Sequence, residues 1–188
     1  VGFYADGSAV IGRANLNIKL DGPSLGTTIG SIHLNKVVTA ASGVMLYTRD
    51  YADDDTNKAA IPTYNILLSA DSEKLYLNGI VEATVDSVYS ATGAAFIPDG
   101  KLLLTMASET NYPGTLAKLT ALIPGDRLTL TLSSDPSWDD VEFAVGGGEK
   151  LITEGKNTAP ANAEIHPRTA IGIRSDGSVV FYTVDGRL

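Results

Sequence analysis

Apolar residues along this chain recur mostly at every second position. NLNIKL at 15–20 alternates, placing Leu16, Ile18 and Leu20 on one face of a strand. GVMLYT at 43–48, TYNILLSA at 63–70, KLLLTMA at 101–107 and RLTLTLSS at 127–134 read as further strands. In LYLNGIVEATVDSVYS at 75–90, Val81, Ala83 and Val85 keep one phase and Val88 leaves it, which predicts a bulge. RTAIGIR at 168–174 and SVVFYTVDG at 178–186 flank Ser175-Asp176-Gly177, and an Asp-Gly turn between two apolar runs predicts a hairpin. Helical spacing stands out once. TLAKLTALI at 115–123 sets Leu116, Leu119, Leu122 and Ile123 on one side, begins at Gly114 or Thr115 and stops at Pro124-Gly125. The pattern predicts a strand-dominated α+β fold, mostly antiparallel with few helices, in a single domain spanning 1–188. Residues 51–60 and 154–167 read as exposed loops.

Composition narrows the function classes. Hydrophobic residues are 44% and charged residues 19% of the chain, the balance of a folded protein. No stretch reaches the ~18 apolar residues of a membrane span. Without cysteine there is no disulfide, thiolate metal site or cysteine nucleophile. The net charge of −8 is uneven: residues 150–188 carry five bases against four acids, and the rest of the chain nine bases against eighteen acids. An acidic body disfavours nucleic acid, while the C-terminal end suits a small anion.

The candidate chemistry lies in that end. A hairpin turning at 175–177 returns Arg168 and Arg187 to one edge, with Asp185 between them in reach and His166 nearby. Guanidinium forks match phosphate oxygens. A carboxylate serves as acid, base or stabiliser of a cationic sugar transition state. The competing reading is that Asp185 only pairs with an arginine to close the hairpin. Gly146-Gly147-Gly148 follows the apolar run VEFAV, but without a following helix or a Lys-Ser/Thr pair it is no nucleotide loop, and a plain turn competes with ligand contact. Asp53-Asp54-Asp55 lacks calcium-loop spacing and reads as a solvated acidic loop. Two histidines form no usual zinc motif, and no metal or cofactor is expected. No Gly-x-Ser-x-Gly elbow is present.

HPRTAIGI, the Asp-Gly turn and VDGR together resemble the signature of the phosphodiester glycosidase family. NKVVTAASGVMLYTRDY at 35–51, FIPDGKLLLTM at 96–106, PGDRLTLTL at 124–132 and WDDVEFAVGGGEKLITEGK at 138–156 resemble further family segments in the same order. The family's Asn-Gly-x-Phe-Phe-like and Asn-Leu-Asp-Gly-Gly-Gly-Ser-like segments do not occur, so the resemblance implies an incomplete domain. It also implies hydrolysis of a sugar phosphodiester at its glycosidic bond and a bacterial, secreted or cell-surface protein acting on a glycan or sugar-phosphate substrate. Under it Arg168 and Arg187 become phosphate ligands and Asp185 the acid/base or stabilising carboxylate. His166 and Thr169 bond substrate, and Gly146 and Gly147 line the pocket through their backbone. A different class, a non-catalytic surface or carbohydrate-binding module, predicts an exposed row drawn from Tyr47, Tyr51, Tyr64, Tyr76 and Trp138.

Overall fold

A computed structural model describes residues 1–72, 74–159 and 166–186. The chain divides into two compact units, Asn15–Ser134 and Val1–Ala14 with Asp135–Leu188. The N-terminal strands β1 (Gly2–Tyr4) and β2 (Ala9–Val10) precede the first of these units in sequence. The unit Asn15–Ser134 contains β3 (Asn17–Asp21), β4 (Ile29–Leu34), β5 (Met45–Tyr47), β6 (Thr63–Ala70), β7 (Ile80–Ala91), β8 (Lys101–Ala107), helix α1 (Pro113–Thr120) and β9 (Arg127–Ser133). After it come β10 (Val141–Ala144), β11 (Ile152–Thr153), β12 (Lys156–Asn157), β13 (Arg168–Ile173) and β14 (Val179–Val184). Among the described residues strands account for 42% and helical turns for 9%, as the period-2 pattern predicts.

The seven strands β3 to β9 close into a barrel in the order β3-β4-β5-β8-β6-β7-β9. Only the β4–β5 pair is parallel. Alternation points one set of side chains into the barrel from each strand. Ile18 and Leu20 of β3, Leu128, Leu130 and Leu132 of β9, and Val81, Ala83 and Val85 of β7 all join one buried cluster. The predicted bulge is present: Leu67 pairs with Ser87 and Leu68 with Val85, leaving Asp86 unpaired in the ladder. This extra residue returns Val88, partly buried, to the core cluster.

Strand β8 is apolar on both faces because both are covered. Leu102, Leu104 and Met106 face the barrel core. Leu103 and Ala107 instead join Val38, Met45, Tyr47, Ala59, Ala95 and Ile97 in a second cluster. The loop read as solvated is anchored over this side. Asn57 is buried and takes the amides of Ala59 (3.2 Å) and Ala95 (2.8 Å) on its carbonyl oxygen. Arg49 pairs with Asp55 at 2.6 Å and also with Asp99. Lys58 pairs with Asp54 at 2.5 Å. The acidic run carries counter-charges that its sequence spacing does not reveal.

Helix α1 starts two residues before the predicted 115–123 span, with Pro113 at the first helical position, where a missing N–H is tolerated. It ends at Thr120, before the predicted stop. Leu116, Leu119 and Leu122 pack into the barrel cluster as spaced. Ile123 does not: it is 63% exposed. Its amide is held instead by the Asp126 carboxylate at 2.9 Å, which fixes the turn into β9.

In the other unit, β1 lies between β10 and β2 in an antiparallel sheet. Phe3 and Phe143 pair across it with rings stacked 4.7 Å apart. Trp138 is buried beside Gly2. β11–β12 and β13–β14 are separate two-stranded hairpins.

Candidate functional site

The predicted C-terminal hairpin forms as read. Arg168 pairs with Val184, Thr169 with Thr183, and so on to Ile173 with Val179. Gly177 (φ 86°) takes the left-handed position of a three-residue turn. Its amide donates to the Arg174 carbonyl at 2.9 Å, and Asp176 accepts from the Ser178 amide (2.9 Å) and hydroxyl (2.7 Å). Those two bonds hold the Asp176 carboxyl below its ordinary value, the hydroxyl contributing most. Local chemistry at the turn therefore sets the register that determines which residues meet at the far end.

At that far end an open groove is lined by Pro167, Arg168, Thr169, Thr183, Val184 and Asp185. The pleat places Thr169 and Thr183 on one face and Arg168 and Val184 on the other. Arg168 sits at the end of the ladder, and its guanidinium donates to the Pro167 carbonyl at 3.2 Å. Asp185 follows the last ladder pair. The residues lining the groove thus include one arginine, one aspartate and two threonines, all exposed. Such a set can bind an anion and exchange a proton beside it.

Of the predicted residues, the hairpin brings Arg168, Thr169 and Asp185 together. His166 lies next to this set, with its backbone against Gly186. Arg187 lies outside the described residues. Gly146 and Gly147 follow β10, are exposed and are not among the groove-lining residues. Thr183 escaped the sequence reading. Its signal was available: once the turn centres on Asp176, Thr183 must face Thr169.

Among the described residues no group of three or more His, Cys, Asp or Glu stands close enough to hold a metal ion. No helix among them is long and apolar enough to cross a membrane. The aromatic row required by a binding module is not present as such. Tyr47 and Trp138 are buried, Tyr51 and Tyr64 half-buried, and Tyr76 exposed. Burial pushes the Tyr47 phenol well above its usual range, and its hydroxyl donates to the Lys36 carbonyl at 2.5 Å.

The phosphodiester glycosidase family profile matches residues 71–188, more than half of the chain, and the chain belongs to that family. No curated protein matches it. Among solved structures it resembles a Burkholderia pseudomallei protein described as exported, with a TM-score of 0.57 and 19% identity. The match covers 100% of this chain and 45% of that one, so the likeness concerns the fold of part of a longer chain.

Proposed function

We propose that this chain contributes to hydrolysis of a sugar phosphodiester at its glycosidic bond, with substrate bound at the ladder end of the β13–β14 hairpin. The observation that carries this reading is the shared groove of Arg168 and Asp185 in a member of the phosphodiester glycosidase family. Arg168 holds the phosphate through its guanidinium fork. Thr169 and Thr183 offer hydroxyls to the phosphate or the sugar. Asp185 stabilises positive charge developing at the anomeric carbon, or takes a proton from the attacking water. The bond from anomeric carbon to phosphate oxygen breaks, water oxygen joins that carbon, and the phosphate leaves as a monoester. His166 is assigned a substrate hydrogen bond and Arg187 a second phosphate contact, both on the sequence pattern. Gly146 and Gly147 are assigned backbone contacts to substrate on the same pattern alone. Secretion or display at the cell surface fits a glycan substrate and the exported description of the Burkholderia protein.

Arg168→Ala in the intact protein is the test. It should lower kcat/KM toward a sugar phosphodiester by about 100-fold or more, the scale of losing one charge-stabilising donor. The circular dichroism spectrum should not change. Wild-type kcat/KM in the variant removes Arg168 from the site.

A further inference from the structure

The strand ladder of the hairpin ends at Arg168–Val184, yet Asp185 needs a fixed direction to act. Gly186 supplies a second point of closure. A Cβ built on Gly186 would lie 2.4 Å from the carbonyl oxygen of His166, 2.7 Å from its carbonyl carbon and 3.0 Å from its nitrogen. All three are backbone atoms, so no side-chain rotation relieves the clash. A separation of 2.4 Å is far inside van der Waals contact, and the two chains must part for any side chain to fit. The requirement is steric contact with the segment preceding β13, since Gly186 is not among the glycines with positive φ. Gly172 in β13 of the same hairpin has open space where its Cβ would be.

We infer that Gly186 is a positioning residue for the groove: its missing side chain lets the chain after Asp185 close against the His166 backbone. Asp185 is then held from both sides, by the Arg168–Val184 pair before it and by the Gly186–His166 contact after it. The Arg168 backbone is held in the ladder by its pair with Val184, while its guanidinium donates to the Pro167 carbonyl. Any residue larger than glycine at 186 pries 166–167 from 185–186. It frees Asp185 and shifts His166, while the pair with Val184 keeps the Arg168 backbone in place. This role rests on the function proposed above.

The experiment compares Gly186→Ala with Gly172→Ala in the intact protein, reading kcat and KM toward a sugar phosphodiester, competitive inhibition by inorganic phosphate, and melting temperature. Gly186→Ala should lower kcat at least 10-fold, with phosphate inhibition within 3-fold of wild type and melting temperature changed little. Gly172→Ala should match wild type in each. An unchanged kcat in Gly186→Ala overturns the proposal. So does a parallel loss of kcat, phosphate binding and melting temperature, which marks a merely structural glycine. Wild-type protein inert toward sugar phosphodiesters overturns the catalytic reading itself and the positioning role with it. That outcome is distinct from an active wild type with an indifferent Gly186→Ala.

Discussion

The carboxamide of Asn57 accepts from the Ala59 and Ala95 amides and donates to Thr105 at 3.2 Å. Thr105 in turn donates to Asn65 at 2.8 Å, and Asn65 donates to Thr63 at 2.9 Å. All four polar residues are buried, and their network leaves no buried side-chain polar atom unpartnered among the described residues. Removing a member strands donors and acceptors away from water, which is worth more than one net hydrogen bond. Asn57→Ala should therefore destabilise the fold by about 3 kcal/mol in urea denaturation. A loss within about 0.5 kcal/mol, the range of an ordinary surface change, would show the loop is not pinned there. Asp86 behaves differently. Lys101 (2.6 Å) and the Ser69 hydroxyl (2.6 Å) hold its carboxyl below the ordinary value, the lysine contributing most. A lowered folded-state value stabilises the native form above the unfolded value near 3.8. That stabilisation is lost as pH falls through the lowered value. Asp86→Asn should thus flatten the decline in stability below about pH 4, measured by denaturation at stepped pH. An identical acid limb in both proteins would show the pair contributes nothing.

At the scale of elements, periodicity located every barrel strand but β4 and the bulge in β7, because inward and outward positions differ in solvation along a strand. It assigned Ile123 wrongly to the buried side of the helix. α1 ends at Thr120, and the following turn is governed by Asp126, so the 3.6-residue phase stops before Ile123. Leu119→Ala should cost about 3 kcal/mol of stability by emptying part of the core. Ile123→Ala should fall within about 0.5 kcal/mol. Equal losses would contradict the exposure seen here. The β13–β14 hairpin was legible from Asp176-Gly177 alone, since a positive φ at Gly177 selects the turn and the turn selects the register. The same arithmetic names Thr183, yet nothing local marks a threonine as lining a groove until its partner strand is placed.

For the whole molecule, burial is unevenly shared between the two units. Every buried hydrophobic residue among those described belongs to Asn15–Ser134 except Trp138. The other unit leaves Phe143, Val145, Leu151, Ile152, Phe181, Tyr182 and Val184 exposed. Local stability follows buried apolar contact, so the two units should unfold at different temperatures. Trp138 is the only tryptophan and lies in the sparsely buried unit. Its fluorescence should change at a lower temperature than the far-UV circular dichroism signal, which the barrel strands dominate. Coincident transitions would mean that the chain melts as one cooperative body.

The C-terminal hairpin, its turn and the return of Arg168 and Asp185 to one end follow from the sequence itself. Turn chemistry is local and the pleat has a fixed period of two. The sequence pattern also carries the family, through order and spacing of short segments across most of the chain. Closure of seven strands into a barrel was a tertiary outcome, because alternation states which side chains turn inward but not which edges meet. So was the anchoring of the acidic loop, whose partners Asp99 and Ala95 lie some forty to fifty residues along the chain. The lack of room for a side chain at Gly186 against His166 is likewise a relation between two backbones, and only the folded chain sets it.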